Sequence, residues 1–191
     1  MSSRCTPLHL LVLVVMLRLP ALGAPFVLFP QAGQLASPDG RFLVRNVDQQ
    51  TAASEFAGTF HALWLTELAS GRSRKLCDYV GMAAVAWSTE DRLVITQYLG
   101  KKTSRALVFP ATDNEDGVLL DVPSLIRMVP VEFRDSLRQN DHVFVEASRL
   151  EDQTLHLRVW GYGQRDPGGF HWLCHYGLRD GALTCRADTE K

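Results

Sequence analysis

Residues 37–47 read SPDGRFLVRNV, and residues 88–98 read STEDRLVITQY. In each, a serine opens a short acidic turn, an arginine follows, and apolar residues then recur at every second position. Alternation at period two marks a strand with one buried face. The two stretches lie 51 residues apart, and a third strand of the same kind, His142-Val143-Phe144-Val145-Glu146, follows about 50 residues later. A period of that length predicts stacked antiparallel sheets, because one such unit cannot bury its apolar face alone. The fold class expected is all-β, built from antiparallel meanders over about 36–79, 83–121 and 142–186.

The remaining segments fit around these strands. Phe26 to Phe29, closed by Pro30, reads as an edge strand, since proline cannot donate to a ladder. Gln31 to Ser37 reads as a loop, and 48–59, which is polar and small, as a surface loop. His61 to Leu68 is a strand that turns back at Ala69-Ser70-Gly71-Arg72. The second unit runs through Ala83 to Trp87, Arg92 to Tyr98, Ser104 to Phe109 and Gly117 to Asp121. Between Val122 and Gln139 the spacing of Leu125, Ile126, Val129, Phe133 and Leu137 becomes helical. Pro130 suits the first turn of a helix better than its interior, so two short helices are expected there. The third meander takes 142–149, 154–162, 170–177 and 182–186. Trp64 and Trp87 read as core. Arg72, Arg74 and Lys75 read as a solvated strand edge that discourages edge pairing.

Ser37-Pro38-Asp39-Gly40-Arg41, then Leu63-Trp64-Leu65-Thr66-Glu67-Leu68 and Ser70-Gly71, resemble one blade of a TolB-type propeller. The likeness covers about 45 residues. The second unit keeps Trp87-Ser88 but replaces Pro-Asp-Gly by Thr89-Glu90-Asp91, and the third lacks the motif. What the resemblance implies is blade geometry; it names no ligand, since one fold hosts many functions. At about 40–50 residues per blade the chain is too short for an ordinary closed ring. The expectation is therefore an open, propeller-like or sandwich-like body.

Residues 1–23 carry Arg4, a Leu/Val-rich run from His9 to Leu17, and small residues at Ala21 and Gly23, the pattern of a signal peptide cleaved before Ala24. The apolar run is short for a membrane span and no later segment approaches one. The expected location is secreted or periplasmic, with 24–191 as a single domain. Without Arg4 and Arg18, 18 basic residues face 21 acidic ones, with no basic block. Nucleic-acid binding, which needs concentrated positive charge, is disfavoured.

Three cysteines remain after cleavage. Face matching on the last two strands brings Cys174 opposite Cys185 if the loop is Leu178-Arg179-Asp180-Gly181. A two-residue Asp180-Gly181 turn would set them diagonally, too far apart for an undistorted bridge. Two reduced core cysteines are the alternative to a disulfide, and Cys77 is left over.

Catalytic templates such as G-x-S-x-G, H-E-x-x-H and a Gly-rich phosphate loop are missing from the sequence. No catalytic residue, cofactor or metal is assigned. His171 and His175 share a strand face and lie about 13 Å apart along it, and Cys174 points the other way. The densest set of chemically active side chains is on one face of the third unit: Glu146, His156, Arg158, Trp160 and Tyr162. A three-residue loop Glu151-Asp152-Gln153 would pair Glu146 with Arg158, Ser148 with His156 and Phe144 with Trp160. That face is the candidate ligand surface of an exported binding or scaffold protein with a protein or small-molecule partner. Two alternatives stand beside it: a secreted hydrolase or carbohydrate-active enzyme using Glu146 and His156, and a structural subunit completed by oligomerisation or another chain.

Overall fold

The computed structural model describes residues 25–49, 60–89, 91–112, 117–151 and 153–189. The expected leader at 1–23, most of the expected 48–59 loop and the Asp113–Asp116 part of the expected acidic turn lie outside the described residues. The strands are β1 Val27–Phe29, β2 Gln34–Ala36, β3 Phe42–Gln49, β4 Phe60–Glu67, β5 Ser73–Val80, β6 Ala83–Trp87, β7 Arg92–Leu99, β8 Thr103–Pro110 and β9 Val118–Leu120. Two helices follow, α1 Val122–Met128 and α2 Val131–Gln139, and then β10 His142–Glu151, β11 Thr154–Tyr162, β12 Phe170–Gly177 and β13 Leu183–Ala187. The body is all-β, with antiparallel meanders and a short helical insert, and no barrel closes among the described residues.

One sheet has the order β2-β3-β4-β5; the other runs β1-β6-β7-β8-β10-β11-β12-β13, with β9 on β8. The small sheet covers one face of β6–β8. Phe42, Val44, Leu63, Leu65 and Tyr79 form one cluster there with Val85, Trp87, Leu93, Ile95 and Phe109. Ala86, Val94, Ala106 and Val108 point to the opposite side, into a second cluster with Leu125 and Leu137 of the helices and Val145, Leu157, Trp172 and Tyr176 of the third meander. β6 is buried at every position, because both of its faces are covered.

The large sheet curls over itself at β10, whose ladder with β8 is a single parallel pair, Val143 and Thr103. Side-chain hydroxyls of β7 and β8 bond the β10 backbone beyond that pair. Thr103 Oγ1 donates to the Val143 carbonyl at 2.6 Å. Ser104 Oγ accepts from the Val145 N–H at 3.0 Å and lies 3.2 Å from the Val145 carbonyl. Thr96 Oγ1, one strand further in, accepts from the Ala147 N–H at 3.0 Å. Ser104 and Thr96 are buried, and leaving one such backbone group unpaired costs about 1–3 kcal/mol. Three small hydroxyl residues thus carry β10 from the edge of β8 across the face of β7.

The two quoted turns close alike. The Ser37 N–H donates to the Phe42 carbonyl and the Ser88 N–H to the Arg92 carbonyl, so the second turn is one residue shorter. Gly40 takes φ 71°, and Asp91, 51 residues on, takes φ 55°. Asp tolerates the left-handed region better than most side chains, which is how the second turn dispenses with glycine. The third member of the repeat is not equivalent. β3 and β7 are the second strands of their meanders, whereas β10 opens its own; the helical insert takes up the intervening length.

Both helices form where their spacing predicts. The Asp121 side chain caps α1 by accepting from the Ser124 N–H at 3.0 Å, and Pro130 stands at the start of α2. Two expectations are corrected. The loop before Ser37 contains β2, a three-residue edge strand too short for periodicity to reveal. Trp87 is core, but Trp64 is only half-buried and belongs to neither cluster, because Leu63 and Leu65 take the inward positions of β4.

Candidate functional site

The outer face of β10–β12 is set by register. Glu146 stands opposite Arg158, Phe144 opposite Trp160 and His142 opposite Tyr162, while on β12 Trp160 meets His171 and His156 meets His175. Val143, Val145, Leu155, Leu157 and Val159 fill the inner face. Period-two alternation then leaves the polar and aromatic set pointing outward.

The rings stack into a row. Phe144 and Trp160 lie 4.0 Å apart with planes 11° from parallel, and His142 and Tyr162 lie 4.7 Å apart at 16°. His171 continues the row beyond Trp160 at 6.1 Å and 5°. Each ring therefore uses a face on its neighbour and presents an edge outward. Arg158 is exposed beside them, and no ion pair joins it to Glu146 among the described residues. Glu146 instead lies close enough to Tyr98 of β7 to raise that phenol further above its usual range, where burial already pushes it.

His156 sits elsewhere than the loop reading places it. A bulge between Ala147 and Arg149 brings Arg149, not Ser148, opposite His156, and Glu151 pairs with Thr154. Two residues therefore connect the strands rather than three. The extra residue in the bulge restores the face alternation that the shorter connection would break, so Leu150 stays buried. Ser148 Oγ still reaches back to the His156 carbonyl at 3.2 Å.

The bulge creates a cluster that the sequence did not reveal. His156 Nε2 lies 3.2 Å from Glu151 Oε2, Arg149 pairs with the same carboxylate, and the His175 ring is 4.5 Å away, edge to face. Glu146 and His156 do not pair; the carboxylate beside His156 is Glu151. No group of three His, Cys, Asp or Glu among the described residues is placed to hold a metal. His171 and His175 both face outward, one on Trp160 and one on His156, while Cys174 is on the inner face in a disulfide with Cys185.

Neither the protein-family models nor the curated proteins give a match to this chain.

Burial, and then the neighbouring His175, hold the His156 imidazole below its ordinary value, against the pull of Glu151. The unfolded chain therefore takes up this proton first as pH falls. Stability rises with pH between the folded value and about 6.5, and is lost on acidification below about 6.5. His156→Gln removes the group, and its melting temperature should fall less than the wild type's between about pH 7 and pH 5. Parallel curves for the two proteins would show that His156 does not contribute to acid sensitivity.

Proposed function

We propose that this is an exported binding protein that holds a protein partner on the outer face of β10–β12. The observation that carries the reading is the row of stacked rings, His142, Tyr162, Phe144, Trp160 and His171, with the exposed Arg158 beside it. Trp, Tyr and Arg are the residue types that dominate binding hot spots in protein interfaces. A sugar platform needs open ring faces, and here the faces are largely spent on one another. That favours a protein over a carbohydrate ligand.

Export is supported by the leader pattern at 1–23 and by the Cys174–Cys185 disulfide, which persists in oxidising compartments. The blade resemblance is supported by three successive meanders, β2–β5, β6–β9 with β1 added at β6, and β10–β13, packed through two apolar clusters. Such a stack ends on a sheet face, and the third unit's outer face is one end.

The test is affinity capture from the exported fraction of the producing cell, with the wild type and with Trp160→Ala and Arg158→Ala proteins of unchanged circular dichroism. One protein is expected to be retained by the wild type and reduced roughly tenfold or more with either variant. Equal recovery with all three would remove this face from the proposal.

A further inference from the structure

A cavity of about 350 Å³ opens between the two sheets, far in sequence from the aromatic row. Arg41, Glu67, Arg72 and Arg74 line it with charged groups, and Phe42, Leu65 and Ala111, all buried, give it an apolar lining. The volume is at the lower end of the ~300–1,000 Å³ range of small-molecule sites. From this geometry we infer that the cavity binds a small organic monoanion: one carboxylate or sulfonate on an apolar body.

The arginines are fixed rather than free. Arg41 pairs with Asp39 on its own turn and with Asp91 on the equivalent turn of the second unit. Its guanidinium lies 5.4 Å from the centre of the Phe42 ring. Arg72 Nη2 donates to Glu67 Oε2 at 3.0 Å, and Arg72 Nε to Ser70 Oγ at 3.3 Å. Arg74 donates to the Pro110 carbonyl at the end of β8. The bonds of Arg41 and Arg72 engage Nε and Nη2 in each. Among the described residues each keeps only its Nη1 amino group as a donor, on a guanidinium already held by carboxylates, and can give an anion one charge-assisted hydrogen bond.

Charge and shape define the ligand further. Glu67 lines the cavity beside the arginines, and with Asp39 and Asp91 it sets three carboxylates against three guanidiniums, so the site lacks the field that a polyphosphate or nucleic acid requires. What remains is directed hydrogen bonding beside an apolar lining, which selects one anionic group attached to a hydrophobic body. The run Arg72-Ser73-Arg74-Lys75 is thus more than a solvated edge. Arg74 is half-buried, and Lys75 pairs with Asp78 at 2.6 Å.

The test is calorimetric titration of the full chain with benzoate, 1-naphthoate and octanoate, and with 1-naphthamide as the neutral match to naphthoate. At least one acid should bind at millimolar affinity or tighter, with naphthamide about tenfold weaker than naphthoate. Arg72→Gln, at an exposed side chain, should weaken binding about tenfold without lowering the melting temperature. Ser73→Phe, at the mouth, should abolish it. The inference is overturned if none of the acids binds, if amide and acid bind alike, or if both variants bind as the wild type does. These outcomes are independent of the partner-capture result, because Arg72 and Ser73 lie on the small sheet and not on the aromatic face.

Discussion

Gly169→Ala is expected to lower the melting temperature by roughly 5–15 °C, a loss of about 2–5 kcal/mol. Two effects coincide at this position. Gly169 takes φ 62°, where an L side chain costs about 1–2 kcal/mol. A methyl group there would also lie inside contact distance of the Gly161 carbonyl oxygen and close to Tyr162 Cβ. The carbonyl is backbone and cannot swing aside, so the strand end must shift. Gly168 is the internal control, because a methyl there meets only Asp166 Oδ1 at 3.8 Å. Gly168→Ala should melt close to the wild type.

The consequence reaches the candidate interface. Gly161 lies between Trp160 and Tyr162, and its own Cβ would sit 2.7 Å from the His142 carbonyl and 2.7 Å from the Phe170 ring. Close backbone approach at Gly161 and Gly169 therefore sets where Tyr162, Trp160 and His171 stand. In Gly169→Ala the near-ultraviolet aromatic signal should change along with the melting temperature. If the protein melts within about 2 °C of the wild type, the β11–β12 connection does not approach the strand as described.

How much of this was legible in the sequence depended on the kind of signal. Alternation along 42–47, 92–98 and 154–162 placed the core strands, since inward positions must be apolar wherever one face is covered. The helical insert was legible because its apolar spacing changes period and Pro130 fits only a helix start. The Glu146–Arg158 and Phe144–Trp160 pairs followed from matching apolar faces. The same logic missed the Ser148 bulge, because a bulge adds one residue and inverts the parity on which the pairing sum depends. Glu151 therefore went unassigned as the partner of His156. The arginine-lined cavity was illegible for another reason: it joins strands and turns of the first unit to the end of β8, and no local pattern records how two sheets meet. Nor could the hydroxyls of Thr96, Thr103 and Ser104 be told from ordinary strand polar residues without knowing that β10 crosses over them.

Removing the Cys174–Cys185 bridge is expected to cost about 3 kcal/mol. The bridge joins directly opposed residues of β12 and β13 and closes an 11-residue separation. In the chain-entropy account a loop of about that size contributes roughly 2.5–3 kcal/mol by restricting the unfolded chain. Local structure makes the loss uneven. β13 is the terminal strand of the large sheet, paired only with β12, and its residues are mostly half-buried or exposed. Cys174, by contrast, is fully buried in the second core, between Trp172 and Tyr176 on the same face. In the Cys174→Ala/Cys185→Ala protein the amides of β13 should lose hydrogen-exchange protection first, and those of β6–β8, covered on both faces, should change least. The thiol balance offers a separate check. Burial pushes the Cys77 thiol up to about 12, so native protein near pH 8 should react at this position very slowly. Denatured, unreduced protein should alkylate at Cys77 and not at Cys174 or Cys185. Alkylation of Cys174 and Cys185 without reductant would show the pair to be open, and with it the main structural support for an exported chain would be gone.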